Sequence, residues 1–207
     1  MMAQKDLVLL TADKNAEYLL RGLFSRSHSL GIRSVSTDFF RHGDRDPGCL
    51  RDCHKFLLPF IRTHSHALVV FDREGCGREA RDRKELEVEV EERLCETGWG
   101  NRATAIVIDP ELENWVWTTS PHVDAVLGWT NAQPALRAWL TKNGLLTEEQ
   151  AKPSRPKEAM QSALFSVRKP RSSALYHQLA SRVSFSGCTD PAFCKLRSVL
   201  QAWFPPL

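Results

Sequence analysis

The chain has 207 residues, 42% of them hydrophobic and 26% charged, a composition that fits one globular domain, or one domain with a helical extension, and excludes a disordered or fibrous chain. Its formal net charge of +3 permits an acidic partner without demanding one. No apolar run approaches the ~20 residues of a bilayer span and Met1 to Asp6 carries no signal-type apolar segment, so no membrane partner, a cytoplasmic location and reduced cysteines are expected.

Residues 6–10 (Asp-Leu-Val-Leu-Leu) have the pattern of a strand buried on both faces. Thr11 to Asn15 then forms a loop into a helix capped by Asp13 or Asn15, with Ala16, Leu19, Leu20, Leu23 and Phe24 at helical spacing. Gly31 ends that unit, and 32–40 reads as the second strand. Residues 41–48 are rich in turn formers and read as a loop, followed by a helix over 50–63. Residues 67–71 are nearly all apolar, which makes them a central strand ending in the loop 72–77.

A charged helix spans about 81–97. Leu86, Val90 and Leu94 form its narrow apolar seam, and Glu85, Glu89, Glu92 and Glu96 lie on a solvated face. The fourth strand, 103–108, runs into Asp109-Pro110-Glu111-Leu112-Glu113-Asn114-Trp115. Short helices follow at 121–128 and 134–140, then a Pro- and Lys-rich connector at 151–157. Residues 158–204 read as mostly helical, with a last helix starting at Pro191. Strand–helix alternation implies a mostly parallel, Rossmann-like sheet flanked by helices. Residues 1–120 are its core, and 121–207 a helical extension packed on it.

Ligands of such sheets bind beyond the carboxyl ends of the strands. Those ends carry Thr11 and Asp13, His42 and Asp44, Asp72 and Glu74, then Asp109, Glu111 and Glu113. Gathered carboxylates repel unless they are protonated, paired with arginine or neutralised by a cation. Hard oxygen ligands point to Mg²⁺ or Mn²⁺, with Asp72, Glu74, Glu111 and Glu113 as ligands. In an extended segment Asp72 and Glu74 face the same way, as do Glu111 and Glu113. Arg45 and Arg73 are the basic residues nearest this edge, placed to counter charge on a phosphate or to pair with the same acids.

Cys49 and Cys53, four apart on one helix beside His54, read as core thiols rather than zinc ligands, because no Cys-x-x-Cys pair occurs. The tryptophans at 99, 115, 117, 129 and 139 sit beside apolar neighbours and read as core packing rather than base-stacking platforms. No phosphate-cradling Gly-rich loop and no nucleophile elbow are present.

The segment Leu7 to Leu23, the strand ending Val70-Phe71-Asp72-Arg73-Glu74, and the segment Pro110-Glu111-Leu112-Glu113-Asn114-Trp115 together resemble TOPRIM-like proteins. The likeness is to a bacterial family met in defence gene neighbourhoods, often near ATPase genes. Pro156-Lys157 and Cys188-Thr189-Asp190-Pro191-Ala192-Phe193 extend it toward the C-terminus. The resemblance implies a Mg-dependent nuclease of antiviral defence acting on nucleic acid, with Asp72 and Glu74 in the place of the family's Asp-x-Asp. Asp72, Glu74, Glu113, Arg73 and Arg45 would be its catalytic residues. One departure stands out: the family's glutamate after the first strand is replaced by Thr11, with Asp13 and Glu17 nearby. Threonine cannot take a proton at neutral pH, so either Glu17 or Glu113 reaches in or catalysis is compromised. The second reading is therefore a non-catalytic TOPRIM-like subunit that binds a partner ATPase or nucleic acid. A nucleotide-binding α/β protein is the third.

Overall fold

Three apolar runs and one mixed run become a parallel sheet in the computed structural model, which describes residues 4–184 and 187–206. Met1 to Ala3, part of the segment read above for a signal sequence, lie outside the described residues. The strands are β1 (Lys5–Thr11), β2 (Thr37–Arg41), β3 (His64–Asp72) and β4 (Ala103–Ile108), in the order β2-β1-β3-β4. β1 and β3, with their unbroken runs Leu7 to Leu10 and Ala67 to Phe71, are central.

Side chains alternate along each strand and split the core into two layers. Leu7, Leu9, Leu68, Val70, Ile106 and Ile108 face one way. Val8, Leu10, Val69, Phe71, Ala105 and Val107 face the other. The second layer is closed by α3 (Arg45–Leu57), through Cys49, Leu50, Cys53 and Leu57, and by α4 (Arg83–Leu94), through Leu86, Val90 and Leu94. Cys49 and Cys53 are buried thiols there, and burial pushes them up, Cys53 to about 12.

The first layer is closed by α1 (Lys14–Phe24) and, from far along the chain, by α8 (Ser173–Arg182) and α9 (Pro191–Trp203). Tyr176, Leu179, Phe193, Leu196 and Leu200 share one core with the sheet, so the C-terminal helices complete the α/β layer. Gly22 lets α1 and α8 touch: a Cβ there would lie 2.6 Å from the His177 carbonyl oxygen. Between these elements lie α2 (Ser27–Leu30), α5 (Pro121–Leu127), α6 (Leu136–Lys142) and α7 (Pro156–Ser166). Trp99, Trp115, Trp117 and Trp129 are buried, and Trp139 packs on Trp129 with ring centroids 5.0 Å apart. Among the described residues no helix is long and apolar enough to cross a membrane.

Boundaries differ from expectation, most clearly at β2 and α3, and the helix expected to reach 63 ends at Leu57 with β3 starting at His64. The ladder of β2 starts at Thr37, because Gly31 ends α2 in a left-handed conformation and the residues up to Ser36 run outside the ladder. Helix α3 starts at Arg45 within the expected loop. Pro47 and Gly48, which read as turn formers, lie in its first turn, where a missing N–H costs nothing.

The charged helix α4 also does more than solvate. Its N-terminus is a capping box between Asp82 and Glu85. Glu89 lies between Arg78, Arg81 and Arg93. Glu87 and Glu91 reach the open edge of β4 and accept from the N–H groups of Val107 (3.0 Å) and Ala105 (3.1 Å). Lys195 of α9 bridges both carboxylates, at 3.1 and 2.7 Å. Side chains thereby occupy hydrogen-bonding groups that would otherwise invite another strand.

Candidate functional site

The order β2-β1-β3-β4 reverses direction between β1 and β3, with α1 on one face and α3 on the other. Crevices open at such switch points, and one of about 610 Å³ opens here. Ala12, Asp13 and Ala16 line it after β1, Gly43 to Pro47 and Arg51 at the start of α3, and Phe71, Asp72, Glu74 and Gly75 after β3. Lys157 closes it from the C-terminal half.

Asp72 is the last residue of β3, and its backbone N–H donates to Asp46 Oδ1 at 2.9 Å. Neither carboxylate makes an ion pair among the described residues, although Lys157 lines the same cleft and its charge acts on both. Burial, then the charges of Asp46, Glu113 and Asp13, hold the Asp72 carboxyl well above the ordinary carboxylate range. A backbone N–H from Leu112 acts in the opposite sense and does not outweigh them. Burial raises Asp46 as well, with Asp13 adding to it and the Asp72 N–H and Lys157 opposing. Asp13 caps α1 by accepting from Ala16 N–H at 2.9 Å and turns toward the same cleft.

Beyond β3 the chain stays paired to the end of β4: Arg73 N–H donates to Ile108 O and Glu74 N–H to Pro110 O. The expected alternation therefore holds. Asp72 and Glu74 both line the cleft, while Arg73 turns to Asp109 (2.8 Å) and the Glu79 carbonyl. Arg73 is thus a structural ion pair. Arg45 does line the cleft, exposed and held at φ +50°.

Glu111 and Glu113 sit behind the cleft wall, each with its own cation. Glu111 accepts from Lys157 N–H at 2.9 Å, capping the first turn of α7, and from Lys157 Nζ at 3.3 Å. Glu113, only 1% exposed, accepts from Arg171 Nη2 and Tyr176 Oη, both at 2.5 Å. Burial opposes the charges of Lys157 and Arg171, but the neighbouring glutamates, joined at Arg171 by Tyr176, outweigh it and raise both. Burial and Glu113 push the Tyr176 phenol up, which keeps it a donor.

The late motifs meet at this same place. Asp190, the N-cap of α9, accepts from Trp115 Nε1 (2.9 Å), Asn114 Nδ2 (2.8 Å) and Phe193 N–H (3.0 Å). Trp117 Nε1 donates to Pro156 O at 2.9 Å. Glu111-x-Glu113-x-Trp115, Pro156-Lys157 and Asp190-Pro191 are therefore one buried hydrogen-bonded buttress.

Thr11 is fully buried, and its hydroxyl contacts the Phe40 and Asp13 carbonyls at 3.2 Å. Glu17 does not reach in for the missing acid: it pairs with Arg21 (2.8 Å) and Arg41 (3.0 Å). Glu113 is likewise committed to Arg171 and Tyr176. Asp13 is the carboxylate that follows β1 into the cleft. Asp46 and Arg171 escaped the sequence reading, and Lys157 entered it only as part of the Pro156-Lys157 element of the resemblance, without a role at the site. Of the first two, only Asp46 left a local trace, as an acid beside Pro47 at a helix start.

Among the described residues no group of three or more histidine, cysteine, aspartate or glutamate side chains is placed to hold a metal ion. Geometry and charge define a parallel α/β protein whose switch-point cleft holds two acids, Asp72 and Asp46, that make no ion pair among the described residues. Comparison with known proteins found no matching family model, curated protein or solved structure.

Proposed function

We propose that this chain processes phosphodiester bonds of nucleic acid as a Mg²⁺- or Mn²⁺-dependent nuclease, in the antiviral defence role that its TOPRIM resemblance implies. One observation carries the reading: Asp72 and Asp46 both line a 610 Å³ cleft and make no ion pair among the described residues. Mg²⁺ commonly keeps several waters and takes one or two carboxylates plus substrate phosphates, so an open pair suits it better than a closed cage would. Asp72 and Asp46 would hold the ion, with Glu74 at the rim. When bound, such an ion polarises a phosphoryl oxygen and makes water a better nucleophile.

The remaining work falls to the chain itself. Arg45 counters negative charge on the phosphate from the cleft wall. Asp13 supplies the carboxylate nearest the missing first-strand glutamate. Glu113 and Arg171 act as positioning residues, keeping the wall behind Asp72 rigid. In this reading the metal ligands shift from Glu111 and Glu113, which already hold cations, to Asp46.

A specific observation favours the non-catalytic subunit as the second reading: the first-strand position is a buried, hydrogen-bonded threonine. One assay separates the two. Purified protein is incubated with DNA and RNA in Mg²⁺ or Mn²⁺, alongside Asp72→Asn and Asp46→Asn. Cleavage lost in both variants supports the nuclease. No cleavage by the wild type, or cleavage that survives both substitutions, overturns it.

A further inference from the structure

The acidic cleft does not end at Asp13. It continues into a chamber of about 480 Å³ that shares Ala12, Asp13, Gly43, Arg45 and Lys157 with it. The character of the lining reverses there: Lys14, Arg41, Arg45, Lys157 and Arg171 face a single carboxylate, Asp13. Three of these cations are anchored from behind. Arg41 pairs with Glu17, Lys157 with Glu111 and Arg171 with Glu113. Arg171 spends Nε on Tyr176 (2.6 Å) and Nη2 on Glu113, so its head is fixed in place while donors remain. Lys14 and Arg45 make no ion pair with any described carboxylate. Lys14 and Asn15 are also the first-turn residues of the 11-residue α1, at the positive end of its dipole.

We propose that this basic chamber is an oxyanion subsite that seats a phosphate group of the substrate beside the acidic pair. It deepens, and rests on, the phosphoester reading above. Pre-fixed guanidinium and ammonium groups bind an oxyanion without first ordering their own side chains, which is where such sites gain affinity. Arg45 contributes from both sides of the boundary, since it lines the acidic cleft and the chamber alike. The loss of the first-strand acid then has a chemical consequence. Thr11 is withdrawn into the sheet, and the space beyond it holds donors for an anion.

The phosphate could be a terminal monoester or an internal diester, and the experiment distinguishes them. Full-length protein in EDTA is titrated with inorganic phosphate at constant ionic strength, against chloride, and binding is followed by calorimetry and by thermal shift. The wild type binds phosphate over chloride. The double variant Lys14→Ala/Arg45→Gly, shown folded by circular dichroism, binds about tenfold more weakly. Arg155→Ala, which removes an exposed cation at the start of α7, leaves binding unchanged.

Short single strands bearing a 5′-phosphate or a 5′-hydroxyl then identify the source. A preference for the phosphorylated end that the double variant loses assigns a terminal phosphate. Equal binding that the double variant weakens assigns an internal one. Absence of phosphate binding over chloride, or affinity that the double variant retains, overturns the subsite. The readout is phosphate binding in EDTA, which needs no metal on Asp72 or Asp46. Failure of the subsite is thereby separate from failure of the Asp72 and Asp46 reading.

Discussion

Two groups of carboxylates lie within reach of one another at the sheet's carboxyl edge, and the fold treats them oppositely. Glu111 and Glu113 are buried with a cation each, Lys157 and Arg171, and additional donors from α7 and Tyr176. Asp72 and Asp46 receive backbone N–H groups but no ion pair among the described residues, and burial raises both. The first pair is built to hold the wall. The second stores unfavourable charge where a ligand can reach it, as sites of function commonly do.

Disturbing the compensated pair has the largest effect. Glu113→Ala strands Arg171 and Tyr176. It costs about 3 kcal/mol, the low end for breaking a buried pair, because the Arg171 side chain keeps 28% exposure. Denaturant unfolding with an unchanged m-value measures it. A cost below about 1 kcal/mol would place the pair with ordinary surface bridges and erase the contrast. Asp190→Ala removes the α9 cap and the partners of Trp115 and Asn114 together. It lowers stability by about 2 kcal/mol in the same measurement.

The uncompensated pair responds with the opposite sign. Asp72→Asn raises stability near pH 7 by about 1 kcal/mol while removing the proposed metal ligand. The pH dependence follows from linkage. The folded-state pKa of Asp72 lies above its ordinary value, so the native protein binds the extra proton. Stability is full below the ordinary carboxylate value of 3.8 and falls as pH rises through the raised pKa. Thermal melts of wild type and variant should therefore diverge upward in pH and converge in acid; parallel curves would contradict the shift. Arg45→Gly has the smallest effect. Relief of the left-handed φ of +50° is partly offset by glycine's entropy in the unfolded chain, leaving a gain of about 0.5 kcal/mol in melts.

Much of this was legible from residue order. The continuous apolar runs of β1, β3 and β4 announce a parallel sheet, and Asp13 after β1 with Asp72 and Glu74 after β3 fall on the cleft because strand ends define the crevice. Asp72 and Glu74 sharing a side follows from period-two geometry. What stayed hidden depends on distant partners. Lys157 and Arg171 meet Glu111 and Glu113 across 46 and 58 positions, which no local pattern encodes. Glu87 and Glu91 carry no assignment from sequence, because nothing in α4 reveals that β4 is an edge strand. Asp46 lay inside a segment whose Pro and Gly look like a turn but serve a helix start.

Asp72 makes no ion pair among the described residues, and the proposed function makes it the ligand of a divalent cation. Carbon-13 NMR titration of the Asp72 side-chain carboxyl, with and without Mg²⁺, tests it most directly. The account predicts a midpoint well above the ordinary carboxylate range that moves down when Mg²⁺ is added and stays high in its absence. An ordinary midpoint, or one that Mg²⁺ leaves in place, would contradict it.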